Sequence, residues 1–310
     1  MADPRVTHSF ELYPPRSAAS GAALPGVIDT LAATQPEFLS VTYGASGSTV
    51  AASLDLVRTV VERTPVDVMA HLTCAGRTPA EITATARRLL DLGARRFLAV
   101  RGDAAATGAP TGLRTAAELV QLLHRVQAER REWSEATVPD ALAPEQQEDR
   151  ARVAVAAFVN GHPGARSRAG SLDALLAKQV AGAELAITQL FFHADDYAAF
   201  VARARAWGIT IPIVPGLLPV TSLARLRRML ELSGEDEPTD LAIALEVEPT
   251  EEGRHEIGVA AAVRFAEALL AAGAPALHLY TLNRTDAVLD VLDRLGLGAA
   301  RAAAASKEPK

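Results

Sequence analysis

The sequence predicts an α/β protein of the (β/α)8 TIM-barrel class, with one catalytic domain over residues 1–300. Short apolar runs bounded by turn residues recur along the 310-residue chain, and longer segments with helical spacing follow them. Eight such alternations are typical of a closed barrel. The alternative is a doubly wound open sheet, but no G-x-G-x-x-G turn follows any of the runs. Residues 301–310 are expected to form a flexible tail.

Each predicted strand is a short apolar run, and the first of them stops at a double proline. The segments between the strands have helical spacing, and several close on Gly, as helix C-termini often do. The predicted strands are residues 7–12, 38–43, 67–72, 95–100, 152–158, 185–191, 210–217 and 276–282. The clearest predicted helices are residues 79–93, 115–131, 172–183 and 195–208.

Two inserts interrupt this alternation. Residues 130–150 are charged, contain proline, and lie between the fourth helix and the fifth strand. Barrel topology places that connection on the bottom face, which builds stability more often than chemistry. The second insert, residues 233–257, surrounds the apolar piece LAIALEV, which the pattern leaves open as strand or helix.

The composition favours a globular protein with a sizeable core. Hydrophobic residues make up 49% of the chain, and the net charge of -6 is spread along it, without a basic stripe for nucleic acid or membrane. The single cysteine, Cys74, cannot form an internal disulfide, and the N-terminus lacks the layout of a signal peptide. The histidines and acids show no metal-ligand spacing. We therefore expect a cytoplasmic protein whose partners are small molecules or copies of itself.

Polar residues collect where the predicted strands end, which is where barrel enzymes hold their active sites. Glu11 is the most unusual, because it sits inside an apolar strand and burying an unpaired charge is expensive. It therefore needs a partner or a chemical role. The other polar residues at strand ends are Thr42, Tyr43, His71, Thr73, Arg101, Asp103, Gln189, Tyr280 and Asn283.

Eight motifs from residue 7 to about residue 295 resemble, in order, those of the bacterial methylenetetrahydrofolate reductase family. They are SFELYPPRS, FLSVTYGASGST, AHLTCAGRTPAEI, LAVRGD, GHPGA, AGAELAITQLFF, IPIVPGLLPV and LHLYTLNR. The resemblance implies a barrel that holds FAD in its mouth and uses NADH or NADPH as hydride donor. It also implies the reaction, which is reduction of 5,10-methylenetetrahydrofolate to 5-methyltetrahydrofolate.

The resemblance implies two catalytic residues. Glu11 matches the family's general acid, and burial at a strand end is expected to raise its pKa and keep it protonated. Asp103 is implied to offset the positive charge of the folate iminium. The implied FAD-binding residues are Thr42, Tyr43, His71, Arg101, Gly102, Asp103, Phe158, His162, Ser171 and Lys178. The implied folate-binding residues are Gln189, Phe191, Arg225, Tyr280 and Arg284.

Simpler structural interpretations stay open for these residues. Glu11 could form a salt bridge with Arg16 or Arg284, and Asp103 could start a turn. Lys178 could be a solvated helix residue, His71 a satisfied core histidine, and Thr42 and Tyr43 ordinary strand formers.

The sequence also departs from the family at cofactor positions. Thr115, Phe158 and Ser171 stand where many relatives carry other hydrogen-bonding side chains, which predicts weaker FAD binding at about 1 kcal/mol for each lost bond. One alternative is a flavin-independent reductase that takes hydride directly from NADH. A second alternative is a barrel that binds folate or nucleotide without catalysis.

Overall fold

The computed structural model describes residues 6–43, 50–102, 112–137, 150–162 and 168–298. Within these ranges the chain forms nine parallel strands and ten helices. The strands are β1 Thr7–Leu12, β2 Leu39–Val41, β3 Val68–Thr73, β4 Arg96–Val100, β5 Arg152–Ala157, β6 Leu185–Thr188, β7 Ile213–Val214, β8 Gly216–Leu217 and β9 Ala276–Tyr280. The helices are α1 Ala18–Ala32, α2 Val50–Arg63, α3 Pro79–Asp91, α4 Ala116–Thr137, α5 Arg168–Val180, α6 Ala194–Ala206, α7 Leu223–Ser233, α8 Thr239–Val247, α9 Glu251–Ala271 and α10 Asp286–Leu295.

The predicted barrel is confirmed, and its closure depends on a broken strand. The sheet runs in the order β7-β6-β5-β4-β3-β2-β1-β9-β8, with every neighbouring pair parallel. The predicted strand 210–217 forms both ends of this order, because Pro215 has no N–H to donate and divides it into β7 and β8. The Pro215 carbonyl instead accepts a hydrogen bond from His278 N at 3.0 Å. β7 pairs with β6 and β8 with β9, so this one segment closes the barrel.

The strand side chains divide between the helix layer and the barrel interior. Phe10 and Leu12 of β1 belong to the large cluster packed under the helices, so Ser9 and Glu11, which alternate with them, point inward. The bottom of the interior is filled by a separate apolar cluster. It consists of Phe38, Met69, Leu98, Ala154 and Ile187, with Val100 and Leu185 packed against it. Ser9 and Glu11 therefore lie inside the barrel, where neighbouring strands and strand ends supply partners for their side chains.

The predicted helices begin where the sequence carries caps. Thr78 and Glu81 form a reciprocal capping box at the start of α3, and Ser222 caps α7. The apolar piece LAIALEV, left open by the sequence, is helical as part of α8. Helix α4 continues to Thr137, into the predicted insert at 130–150, while residues 138–149 and the predicted tail at 301–310 lie outside the described ranges.

Candidate active site

Glu11 lies at the carboxyl end of β1, buried in a polar layer inside the barrel mouth. Thr42 Oγ1 donates a hydrogen bond to Glu11 Oε1 at 3.2 Å. Two imidazoles flank the other carboxylate oxygen, Oε2, with His71 Nε2 at 3.6 Å and His278 Nε2 at 3.9 Å. Both separations are longer than a hydrogen bond. Sequence reasoning offered Arg16 or Arg284 as ion-pair partners, and the structure instead places histidines beside the carboxylate.

His278 and Ser9 are site residues that sequence reasoning missed. His278 is fully buried in β9, where its Nδ1 lies 2.8 Å from Ser9 Oγ. Its ring stacks on Phe38 at 5.8 Å and meets Tyr280 edge-on at 5.3 Å. The signal was available, because a histidine stands two residues before Tyr280 in an apolar strand, and therefore on the same face of that strand. Sequence reasoning selected polar residues at strand ends, and it missed His278 because this residue lies in the middle of β9.

The pKa of Glu11 corrects the sequence prediction. Burial raises this pKa, but the nearby His278, the charge on His71 and contact with Tyr13 lower it more, so the net pKa lies below its usual value. Burial lowers the pKa of His71 in turn, partly offset by the negative charge of Glu11. The predicted raised pKa of Glu11 is therefore wrong. Glu11 rests as an anion at neutral pH, and the Nε2 atoms of both imidazoles are buried without a hydrogen-bond partner.

The loop after β9 fixes the backbone of Glu11. Thr281 Oγ1 donates to the Glu11 carbonyl at 2.7 Å, and the Asn283 amide bonds both Tyr13 N and Tyr13 O, at 2.9 and 2.8 Å. Leu282 and Asn283 both adopt positive φ, at 50° and 57°, which costs energy for residues other than glycine. The strained turn thus aims two side chains at the end of β1 and holds the carboxylate in place.

A pair of cations forms a second feature of the mouth. Lys178 Nζ donates to the Ala156 carbonyl at 2.8 Å, and burial together with the charge of Arg101 lowers the pKa of Lys178 to about 8. Gly102 makes the tight turn beside Arg101, with φ at 81°, which favours glycine, and a Cβ here would lie only 3.1 Å from Thr73 Cβ. Two cations close together favour an anionic ligand such as a phosphate group.

Three further predicted cofactor residues lie near one another after β5. The rings of Phe158 and His162 meet edge-on at 4.6 Å, and His162 N donates to Ser171 Oγ at 3.1 Å. Thr115, one of the departures from the family, caps α4 through reciprocal hydrogen bonds with Glu118. Asp103 lies outside the described residues.

The predicted ligand-binding residues at the ends of β2, β6 and β9 lie in different surroundings. Tyr43 is buried under the guanidinium of Arg77, which lies 5.2 Å from its ring centre and bonds its hydroxyl. Gln189 is exposed at the end of β6, and its Oε1 accepts a bond from Leu190 N at 2.9 Å. Tyr280 donates to the Thr188 carbonyl at 2.9 Å, in space that exists because residue 216 is glycine.

Phe191 lies apart from the polar layer. It is fully buried in the helix layer, stacked on Tyr197 and edge-on to Phe265. It also lines a cavity of about 560 Å3 that α8 and α9 border. Arg225 and Arg284 line a separate, smaller groove beside Tyr280. Among the predicted residues, Glu11, Thr42 and His71 therefore lie together at the mouth, while Phe191 packs in the helix layer.

This arrangement suits proton transfer next to an anionic ligand. A buried carboxylate beside two imidazoles can exchange a proton with them, and the two cations can hold a phosphate. In the described part of the chain, no group of three or more His, Cys, Asp or Glu side chains is arranged to hold a metal ion. Likewise, no helix in those ranges has the length and apolar character needed to cross a membrane.

Comparison with known proteins identifies what this chain is similar to. The sequence model of the family described as methylenetetrahydrofolate reductase matches residues 1–296. The chain is 31% identical to the 5,10-methylenetetrahydrofolate reductase of Pectobacterium carotovorum, over 94% of this chain and 91% of that one. It is 30% identical to the Escherichia coli enzyme of the same name, over 94% and 92%.

A plant relative and a solved structure extend the comparison. The probable methylenetetrahydrofolate reductase (NADH) of rice is 32% identical over 96% of this chain, which spans 49% of the rice protein. A Clostridium thermocellum protein described as binding two copies of 5-methyl-5,6,7,8-tetrahydrofolic acid has a similar fold, with a TM-score of 0.59. It is 13% identical and is covered over 93% of both chains. This structural likeness supports the barrel fold alone.

Proposed function

The chain belongs to the methylenetetrahydrofolate reductase family, and from that premise we propose that it reduces 5,10-methylenetetrahydrofolate to 5-methyltetrahydrofolate with hydride from NADH or NADPH through FAD. The observation that carries the proposal is Glu11, buried between two imidazoles at the barrel mouth. The bridging methylene can accept hydride only after its five-membered ring opens to an iminium. Ring opening requires a proton at the departing nitrogen, and Glu11 is placed to deliver one.

Because its pKa is lowered, Glu11 is ionised at neutral pH and needs a source of protons before it can act as an acid. A resting carboxylate cannot donate, so Glu11 must first gain a proton. Because burial lowers the pKa of His71 and leaves this ring neutral at pH 7, the proton comes in net from solvent and passes through His71 or His278, whose Nε2 atoms have no other partner. Ser9 bonds Nδ1 of His278 and fixes the orientation of that ring. Separations of 3.6 and 3.9 Å allow direct transfer after a small tightening, which is common when substrate closes a site.

The described residues fit FAD. Lys178 and Arg101 supply positive charge for its phosphates, and the tight turn at Gly102 lets backbone approach a ligand closely. Bound FAD would supply a carrier that accepts hydride from the nicotinamide and passes it on. His162, Ser171 and Phe158 would flank it after β5, and Thr42, Tyr43 and His71 would border it on β2 and β3. The flavin-independent alternative dispenses with these roles.

NADH is the donor that we favour, because it is named for the rice relative. Gln189 and Tyr280 are proposed to hold the pterin at the mouth, and we place the reaction in the cytoplasm. In this account Arg225 and Arg284 bind the folate rather than the nucleotide.

Product analysis tests the proposal. Purified protein with NADH, FAD and 5,10-methylenetetrahydrofolate should form 5-methyltetrahydrofolate in step with NADH oxidation under anaerobic conditions. Repeating the assay with NADPH measures donor preference. Absence of product with either donor would refute the proposal. A colourless protein whose rate is unchanged by added FAD would instead support the flavin-independent alternative.

A further inference from the structure

Helices α7 and α8 form an antiparallel hairpin that leaves large apolar side chains in solvent. Residues 234–238 connect the two helices, and Arg227 near the start of α7 lies 3.9 Å from Glu246 near the end of α8. The sequence of α8, TDLAIALEV, is apolar around most of the helix, which is typical of a helix covered on several sides. Ile243 and Val247 of α8 are nevertheless 55% and 75% exposed.

The exposed side chains of each helix fall in one stripe, at the spacings of three and four residues that place them on a common face. On α7 this stripe includes Arg227, Arg228, Glu231 and Leu232. On α8 it includes Asp240, Ile243, Glu246 and Val247. The contact between Arg227 and Glu246 sets the two stripes side by side, and we call the surface that they form the α7–α8 face.

The α7–α8 face concentrates exposed apolar area. Leu232 is 61% exposed, and together with Ile243 and Val247 it makes up half of the large hydrophobic residues that are exposed in the described part of the chain. Single exposed apolar residues are ordinary, but several on one face mark an interaction surface. A partner that covers the three residues would remove apolar area from water on both molecules.

The charges on this face indicate which partner fits. The α7 stripe carries two arginines and one glutamate, whereas α8 carries Asp240 and Glu246 and no basic residue. Arg227 and Glu246 are too far apart for a hydrogen bond, and both are exposed. If a second copy lies against the face about a two-fold axis, α7 of each copy meets α8 of the other, so basic side chains meet acidic ones twice. The face is therefore complementary to itself.

We propose that the α7–α8 face is the contact surface of a homodimer, in which α7 of each chain packs on α8 of the other about a two-fold axis. Leu232, Ile243 and Val247 form the apolar centre of this interface, and the arginines and carboxylates form its polar rim. A partner with a single sign of charge would meet like charges on one of the two helices. The inference is independent of the proposed reaction, because it uses none of the residues assigned to the mouth.

Sedimentation velocity of the full chain over a wide range of concentrations tests the proposal. Wild type should reach the mass of two chains. Val247→Glu places a charge at the centre of the interface and should raise the dimer dissociation constant by at least about 100-fold, because a buried charge without a partner is strongly disfavoured. Val180→Glu is the matched control, since Val180 is 80% exposed at the end of α5 and the same substitution there should leave the dimer unchanged.

A charge exchange tests the packing of α7 on α8. The double variant Arg227→Glu, Arg228→Glu makes the α7 stripe acidic and should weaken the dimer about tenfold or more, because acidic side chains then meet the acidic α8. Adding Asp240→Arg and Glu246→Arg to the same chain exchanges the two signs and should restore the dimer. Failure of the exchanged chain to associate would overturn the proposed packing.

Two results of the sedimentation experiment would overturn the interface itself. The first is a wild type that stays monomeric at every concentration, and the second is an oligomer that Val247→Glu leaves intact, which would place the contact elsewhere. Far-UV circular dichroism shows whether Val247→Glu is folded, and Leu232→Lys supplies an independent disruption on the other helix. If wild type forms a tetramer, each of these two variants should halve its mass.

Discussion

At the bottom of the barrel, Arg96 donates to Glu37 at 2.7 Å and to Asp67 at 3.2 Å, so every charge in the group has a hydrogen-bonded partner. At the mouth, Glu11 lies 3.6 and 3.9 Å from two imidazoles that bond nothing at Nε2. The ring of Phe38 separates the two groups, with Arg96 on it at 5.1 Å and His278 stacked at 5.8 Å.

The difference separates charged residues that stabilise this barrel from those that are available for catalysis. Unpaired buried polar atoms are expensive, so two of them beside one carboxylate indicate a role other than stability. At the bottom, Arg96 of β4 bonds Glu37 and Asp67, which lie just before β2 and β3, and so links the starts of three strands. At the mouth, Nε2 of His71 and Nε2 of His278 make no hydrogen bond, although both lie beside the carboxylate of Glu11. Changes at the bottom should therefore alter stability, and changes at the mouth should alter activity.

The largest expected effect is on the mouth carboxylate. Glu11→Gln keeps the shape of the side chain but can deliver no proton, so folate reduction should fall about 100- to 10,000-fold. Oxidation of NADH by an artificial electron acceptor should continue, because that reaction does not open the folate ring. Steady-state rates for the two reactions provide the measurement. Folate turnover within threefold of wild type, roughly the scatter between preparations, would remove Glu11 from the mechanism.

The next largest effect is a loss of stability at low pH, caused by His8 of β1. Burial lowers the pKa of His8 from 6.5 to about 4, so between these pH values the unfolded chain binds a proton that the folded chain does not. Stability from this group is complete above pH 6.5 and falls as the pH drops toward 4. At about 1.4 kcal/mol per pKa unit, the loss is about 3 kcal/mol.

Denaturant unfolding of wild type and His8→Gln, each at pH 7 and pH 4.5, isolates the His8 contribution. Glutamine can keep the hydrogen bond to Thr34, which His8 Nε2 makes at 2.9 Å. Wild type should lose more stability on acidification than the variant does. Equal losses would show that His8 is not the group that titrates.

Arg96→Met tests the paired group directly. The substitution removes both ion pairs but keeps an apolar stem against Phe38, and the two carboxylates are partly exposed, so the expected loss is about 1–2 kcal/mol. The midpoint of thermal unfolding should fall by a few degrees, with kcat unchanged. Arg87→Met is the control, because its pair with Glu129 is exposed and should contribute nothing measurable. A loss of kcat in Arg96→Met without a loss of stability would contradict the claim that the bottom of the barrel affects stability and the mouth affects activity.

The smallest effect sharpens the role of the imidazoles. His278→Gln can still bond Ser9 but cannot carry a proton, and it removes a group that lowers the pKa of Glu11. Folate turnover should fall about tenfold, less than for Glu11→Gln, because His71 remains beside Glu11. The pH profile of kcat should also move, since Glu11 now holds its proton to higher pH. An unmoved profile would indicate that His278 only packs.

The sequence predicted the eight-fold alternation because apolar runs and caps are local signals, and it placed Glu11, Thr42 and His71 at one mouth. It could not predict that Pro215 divides one strand into β7 and β8, since pairing on both sides depends on the closed sheet. It missed Ser9 and His278, which look like ordinary strand residues until the register pairs them. The predicted direction of the Glu11 pKa shift was wrong. An apolar strand indicates that Glu11 is buried, but the sequence does not show that two imidazoles lie beside it.

The most direct test of this account is the protonation state of Glu11 in the ligand-free protein. Infrared difference spectra between wild type and Glu11→Gln, recorded across a range of pH, isolate the signal of this one carboxyl group. The account predicts an ionised carboxylate at pH 7 that gains its proton only below the usual pKa of glutamate. A protonated Glu11 at pH 7 would contradict it, because the acid would then need no proton from His71 or His278.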